Sequence, residues 1–366
     1  MTIGLPKEIK DQENRVALTP SGVLKLTQAG HHVLVQSNAG INAGFDDVAY
    51  SNAGATILPL AKEVFEQSNM VVKVKEPQEE EYSLIQEDQI IFTYFHFASS
   101  LTLTQAMIDT NAICIAYETV QLTDGSLPLL VPMSQVAGRM AAQIGTNLLQ
   151  KNHGGKGILT GGIPGTRAAK VLVLGGGTVG TEAAKIAAGM GAKVTIIDIN
   201  PKRINELSVL LPNNVTPILS TNQDITSYAY GADLIIGAVL VPGGKAPILI
   251  KEHMLDFMEN GTVLLDVAVD QGGCIESCRP TTHTSPTFVH RGKLHYGVTN
   301  MPGAVPQTSA IALEGYTLPY VMQIANTGWE KACQDNSALA KGLNIVHGKV
   351  VHEEVQLFYK AATDQP

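Results

Sequence analysis

One stretch, residues 169–200, AKVLVLGGGTVGTEAAKIAAGMGAKVTIIDIN, narrows the possible folds of this chain more than any other. Residues 171–174 form a short apolar run ending in glycines, the pattern of a strand buried on both faces of a parallel sheet. Gly175, Gly177 and Gly180 follow as G-x-G-x-x-G. The first glycine permits a tight turn, the second lets a pyrophosphate approach the backbone, and the third lets the helix sit close to the strand. Residues 178–190 read as that helix, its N-terminal N–H groups directed at phosphate. A second strand, residues 193–197, ends in Asp198, whose carboxylate can accept both hydroxyls of an adenosine ribose. Glycine-rich turns are common, and the motif alone is weak. Strand, turn, helix, strand and terminal acid within about 30 residues are specific. The stretch predicts a dinucleotide-binding unit.

Asp198 also bears on which dinucleotide. A carboxylate there repels a 2′-phosphate, which favours NAD over NADP. Arg203 pulls the other way if it accepts that phosphate; otherwise it is a solvated charge on the next helix.

With 366 residues the chain exceeds one ordinary core, and two domains are expected. The net charge of −8 argues against nucleic acid or an anionic membrane as partner. The N-terminal MTIGLPKEIK has no basic-then-apolar pattern, and no apolar run reaches about 18 residues, so a cytoplasmic protein is expected. Four scattered cysteines do not make a disulfide framework. Cys274 and Cys278 have neither a C-x-x-C nor a familiar zinc spacing, and read as thiols near a loop with no metal.

The first part of the chain also alternates strands and helices. Strands are predicted at residues 3–5, 32–36, 56–58, 70–74, 90–95 and 112–117, with helices at 19–29, 46–53, 60–67 and 103–110 between them. Thr19 is a plausible N-cap, with Pro20 at the first helical position. Residues 132–150 read as one long helix and 151–167 as a glycine-rich loop. Beyond Asp198 come a helix from Pro201, strands at 215–219 and 234–237, a helix at 251–258, and strands at 262–266 and 294–298. A helix is expected over 307–325 and short helices after it, returning to cover the first domain. The fold class is α/β, with two doubly wound sheets.

Ligands of open α/β sheets sit beyond the carboxyl ends of the strands. Lys75 and His96 are at two such ends. An ammonium there holds a carboxylate or polarises a carbonyl oxygen. His96, in YFHFAS, is either a satisfied core histidine or a general acid–base. Arg15, in ENRVALTP, is a surface arginine or a bidentate grip on a carboxylate. Asp266 directly follows an apolar run and orients a loop; Asp270 precedes a flexible Gln-Gly-Gly turn and can project toward a ligand. Arginine, lysine, histidine and aspartate around a nucleotide unit fit hydride transfer to or from a small 2-substituted carboxylic acid.

The segments GLPKEIKDQENRVALTP, VKVKEP, FTYFHFAS, VPMSQVAGRMAAQ, VLGGGTVG, LLDVAVDQGGCIE and HYGVTNMPGAVPQTSA resemble the alanine dehydrogenase and pyridine nucleotide transhydrogenase family, on the dehydrogenase side. The resemblance runs through essentially the whole chain. It implies two Rossmann-like doubly wound domains with parallel sheets, separated by a cleft. Residues 1–130 with 307–366 would form the substrate domain and 131–306 the NAD-binding domain. It implies His96 and Asp270 as the catalytic pair, and Arg15, Lys75 and Asn300 as substrate ligands. It implies NAD contacts from Ser134, Gly175, Gly177, Thr178, Val179, Gly180, Asp198, Arg203, Ser220, Val239, Leu240, Val267, Val298 and Met301. The implied reaction converts L-alanine, NAD+ and water into pyruvate, ammonium and NADH, in a homo-oligomer, by resemblance a hexamer. The alternatives are the soluble NAD(H)-binding subunit of a proton-translocating transhydrogenase, which needs a membrane partner, and a non-catalytic NAD-binding protein.

Overall fold

The computed structural model describes residues 1–220, 222–239, 246–269 and 272–363. Six strands come first: β1 (Thr2–Leu5), β2 (His32–Gln36), β3 (Thr56–Leu58), β4 (Met70–Val72), β5 (Ile90–Thr93) and β6 (Ile113–Ala116). Seven follow: β7 (Lys170–Leu174), β8 (Lys193–Asp198), β9 (Val215–Leu219), β10 (Leu234–Gly237), β11 (Val263–Asp266), β12 (Thr287–His290) and β13 (Lys293–Tyr296). Near the C-terminus lie β14 (Leu343–Val346) and β15 (Lys349–Val350). The chain divides into two compact units, residues 1–133 with 303–366, and residues 134–302.

The first unit is built on a sheet of order β15-β14-β6-β5-β4-β1-β2-β3, the second on one of order β12-β13-β11-β10-β7-β8-β9. Both are doubly wound α/β sheets. Their central strands, MVV, IIFT, ICIA, LIIG and VLLD, are buried along their whole length, as helices on both faces require. In the first unit Ile91, Cys114, Phe97 and Met107 pack with Ile345 and Val355, so the C-terminal segment shares the core of the first 133 residues. The helix Pro20–Gln28 has Thr19 as its N-cap, the hydroxyl accepting from the Ser21 N–H. Its N-terminus also receives the Glu314 carboxylate, which accepts from the Thr19 N–H and, at 3.0 Å, from the Thr19 hydroxyl.

The sheets are parallel except at one edge of each. β14 runs antiparallel to β6 and to β15, and β12 runs antiparallel to β13. Both hairpins close through two residues with positive φ, His347-Gly348 (46° and 73°) and Arg291-Gly292 (46° and 74°), the conformation of a type I′ turn. The sequence predicts only helices after residue 325 and no strand at 287–290, because His-Gly and Arg-Gly lack the Asn-Gly or Asp-Gly signature of that turn. Helix Asn222–Tyr230 is likewise unpredicted, and the predicted helix at 251–258 is a run of 3₁₀ turns, Glu252–Phe257.

Candidate active site

In an open α/β sheet the binding crevice opens where successive connections leave in opposite directions. In the second unit that point lies between β7 and β10, and the glycine turn follows β7 directly. Gly175 has φ +99°, and a Cβ on it would lie 2.7 Å from the Ala238 carbonyl oxygen. A Cβ on Gly180 would lie 1.9 Å from the Gly175 carbonyl oxygen, so only glycine lets the helix Thr178–Gly189 pack onto the turn. In front of Gly177 nothing lies within 4 Å of where a Cβ would be. Open space at the N-terminus of a twelve-residue helix fits a pyrophosphate.

Around the turn, Asp198 accepts from the Gly176 N–H at 2.7 Å and the Asn200 N–H at 2.9 Å. Arg203 grips the other side of the same residue: its Nε donates to the Gly176 carbonyl at 2.7 Å, its Nη2 to Thr181 Oγ1 at 2.9 Å and its Nη1 to Glu206 at 2.8 Å. Arg203 is therefore a clamp on the glycine turn, neither a loose surface charge nor an open phosphate receptor. The Ser220 N–H donates to the Asp198 carbonyl, and the Val267 N–H to the Gly237 carbonyl. Val239 follows β10. Thr178 and Val179 open the helix, and Ser134 sits in the helix Val131–Leu148. Gly138 of that helix, which sequence reading missed, lies against Val179: a Cβ there would be 2.2 Å from the Val179 carbonyl oxygen. Val298 and Met301 are buried, and the Asn300 carbonyl meets His283 Nε2 at 2.9 Å. Leu240 and Asp270 lie outside the described residues.

Asp266 is fully buried at the end of β11 and accepts from the Ala268, Cys274 and Ile275 N–H groups at 3.1, 2.8 and 3.0 Å. It ties down the loop after β11, as expected. Burial pushes the Cys274 thiol well up and the Cys278 thiol up to about 12, so both are protonated near neutrality.

The switch point of the first unit lies between β1 and β4. Arg15 belongs to the segment after β1, and Lys75 to the segment after β4. Strands β4 and β5 stop at Val72 and Thr93, so Lys75 and His96 stand beyond the strand ends rather than on them. Lys73, directly after β4, is fully buried and pairs with Glu8 at 3.1 Å and Glu81 at 2.8 Å. Glu8 also accepts from the Val74 N–H at 2.6 Å and the Lys75 N–H at 3.4 Å, while backbone bonds between the two segments carry on past Val72, from the Lys73 N–H to the Phe92 carbonyl and from the Tyr94 N–H to the Val74 carbonyl.

Arg15 is buried, and Glu13 grips it with two bonds, 2.6 Å to Nε and 2.5 Å to Nη2. Burial alone would lower its pKa, but Glu13 reverses the sign and raises it. For Lys75 burial comes first and the Arg15 charge second, and together they lower its pKa. The Tyr94 ring lies parallel to the His96 ring at 5.9 Å, and its hydroxyl donates to the Leu129 carbonyl at 2.5 Å. Arg15 and Glu118 both act on Tyr94 electrostatically, while burial raises its pKa. Arg15, Lys75, Tyr94 and His96 thus gather at one end of the first sheet. Two positive groups near one another suit a small carboxylate.

Two family domains match the sequence: alanine dehydrogenase/PNT, N-terminal domain, over residues 4–137, and alanine dehydrogenase/PNT, C-terminal domain, over residues 141–353. The chain belongs to the alanine dehydrogenase/PNT family. Within it, an alanine dehydrogenase of Lysinibacillus sphaericus is 53% identical over 357 residues, 97% of this chain and 96% of that one. A solved L-alanine dehydrogenase structure superposes with a TM-score of 0.96 at 51% identity, covering 99% of each chain. The transhydrogenase from Sinorhizobium meliloti shares the fold, with a TM-score of 0.81 at 23% identity over 96% of this chain and 99% of that one.

Proposed function

We infer that the chain catalyses the NAD-dependent oxidative deamination of L-alanine, with reductive amination of pyruvate as the reverse. The observation that carries this reading is extensive identity with alanine dehydrogenases over nearly the whole chain. The pairing of a buried arginine with a lysine at one switch point supports it. It is an NAD-dependent amino-acid dehydrogenase. The transhydrogenase-subunit alternative is less supported, with the shared family domains and a fold-level likeness at 23% identity behind it.

In this reading residues 131–306 bind NAD. Gly175, Gly177, Gly180, Thr178 and Val179 would hold the pyrophosphate and Asp198 the adenosine ribose, with Arg203, which clamps the turn, beside it. Ser134, Ser220, Val239, Leu240, Val267, Val298 and Met301 would contact the rest. When bound, NAD+ accepts the hydride that leaves Cα of alanine, and NADH returns it in the reverse direction. Residues 1–130 with 307–366 bind the carboxylic acid. Arg15 and Lys75 make charge-assisted bonds to its carboxylate, and Asn300 adds a polar contact. The substrate amine is neutral before oxidation, because its lone pair forms the C=N bond as the C–H bond breaks. Asp270 stabilises the cationic iminium. His96 takes a proton from the water that adds to the imine carbon and returns it to nitrogen; the C–N bond then breaks as the carbinolamine hydroxyl gives up its proton, which the departing ammonia takes up as ammonium. The balance is L-alanine, NAD+ and water to pyruvate, ammonium, NADH and one proton. Four unbridged thiols accord with a cytoplasmic location, and the family resemblance with a homohexamer.

The test follows NADH absorbance with pyruvate and ammonium, beside an NADPH control. Loss of NADH that needs both substrates is expected. Loss with pyruvate alone indicates a 2-hydroxy-acid dehydrogenase. Tight NADH binding without turnover returns the reading to a transhydrogenase subunit or a non-catalytic protein.

A further inference from the structure

Of Arg15, Lys75, Tyr94 and His96, it is His96 whose backbone is in the left-handed region, at φ 53° and ψ 42°. A side chain with a Cβ disfavours that region, and it persists where surrounding groups determine it. Two sets of groups do so here. On the C-terminal side the His96 carbonyl accepts from the Ser99 N–H at 2.9 Å and the Ser99 hydroxyl at 2.7 Å. On the N-terminal side one carboxylate, Glu118, takes both available N–H groups: Oε1 accepts from Phe95 at 3.1 Å and from His96 at 2.5 Å, and Oε2 lies 3.3 Å from the Phe95 nitrogen. Glu118 stands in the 3₁₀ turn Tyr117–Thr119 that follows β6, the parallel neighbour of β5. The acid that follows β6 therefore binds the backbone of the histidine that follows its neighbour β5.

We propose that Glu118 is a positioning residue for the dehydrogenase reaction: its carboxylate fixes the left-handed turn that aims His96. The proposal rests on the reading of His96 as the proton-transfer group. Glu118 acts through the two N–H groups it holds, so what matters is an oxygen at the right reach. Oε1 alone contacts both donors, so a glutamine keeps the grip without the charge. An aspartate keeps the charge but withdraws it by one methylene.

The test is a double-mutant cycle on the full-length enzyme, with reductive amination of pyruvate as the readout. NADH binding by fluorescence reports that each variant is folded. Glu118→Ala and Glu118→Asp are expected to lower kcat about 10- to 100-fold, with KM for pyruvate and NADH affinity within about threefold. Glu118→Gln recovers most of the lost turnover. In a His96→Ala background, Glu118→Ala and Glu118→Asp change the residual rate by no more than about twofold, since a positioning group has nothing left to position. If either substitution lowers the His96→Ala rate by its full factor, or if Glu118→Gln is as impaired as alanine, Glu118 acts independently and the proposal is overturned. Should Glu118→Ala not fold, the aspartate and glutamine arms decide alone. Undiminished turnover in His96→Ala itself instead removes the acid–base reading on which the proposal stands.

Discussion

Lys75 carries its charge in a place that penalises it twice, once by burial and again by the neighbouring Arg15. In the proposed reading a substrate carboxylate offsets both penalties, which links binding to the ammonium form. The sign follows. In the free enzyme the ammonium fraction falls as pH rises through a pKa lowered from the ordinary lysine value, about 10.4. Carboxylate affinity therefore falls in the same window, by up to tenfold per pH unit. Propionate, which has the carboxylate and no reacting carbonyl, is the probe: its inhibition constant should start to climb below the ordinary lysine pKa. Tyr94 does not supply that limb, because burial raises its pKa. Lys75→Arg, charged throughout, should hold the inhibition constant flat over the same range. An unsubstituted enzyme that is flat up to about pH 10 would separate Lys75 from the carboxylate. The candidates Lys75 and His96 are legible in the sequence because their chemistry stands out after apolar runs, and Arg15 because the family resemblance names it. Glu8, Glu13, Lys73 and Glu118 are not. Glu118 is 22 residues from His96, and only the parallel pairing of β5 with β6 brings its carboxylate to that backbone.

The glycine turn and its helix make up the element whose sequence and geometry agree most closely. Gly180 and Gly189 lie on the same helix and separate contact from propensity. A Cβ at Gly180 meets the Gly175 carbonyl oxygen at 1.9 Å, and neither backbone can yield without moving the helix off the turn. A Cβ at Gly189 meets nothing within 4 Å. Gly180→Ala should weaken NADH binding at least about tenfold, the equivalent of 1.4 kcal/mol. Gly189→Ala should leave binding unchanged and raise the melting temperature, since alanine in a helix is better than glycine by up to about 1 kcal/mol. Fluorescence titration with NADH and thermal melts of both variants check the pair; equal effects would mean that close approach is not what selects glycine at 180. The antiparallel edges are the elements the sequence concealed. Their strands are short, and their turns put histidine and arginine at positive φ, where local propensity argues against the conformation that pairing imposes.

At the scale of the whole chain, the unit formed by residues 1–133 depends on residues that arrive last. The sequence marks the C-terminal return only as helical pattern, because what joins it to the first unit is long-range: the pairing of β14 with β6, and side-chain contacts that span up to 295 positions. Glu314, in the helix Pro306–Thr327, is one of those contacts: its carboxylate accepts from the Thr19 N–H and hydroxyl, and comes so close to the helix Pro20–Gln28 that a Cβ at Gly22 would lie 2.3 Å from its Oε2. Removing it leaves buried donors unmatched, so Glu314→Ala should cost about 2 kcal/mol and lower the melting temperature by roughly 4–8 °C. Burial raises the Glu314 pKa, only partly opposed by the Thr19 bonds. A carboxyl whose folded pKa is raised contributes stability that is full below its unfolded pKa and is lost as pH rises through the folded value. Glu314→Gln cannot ionise and does not incur that loss. Whatever its absolute stability, its melting temperature relative to the unsubstituted enzyme should therefore rise as pH increases above about 4.5. A difference that stays constant with pH would show that the Thr19 bonds offset the burial in full, and that the helix N-terminus holds a carboxylate there at no cost.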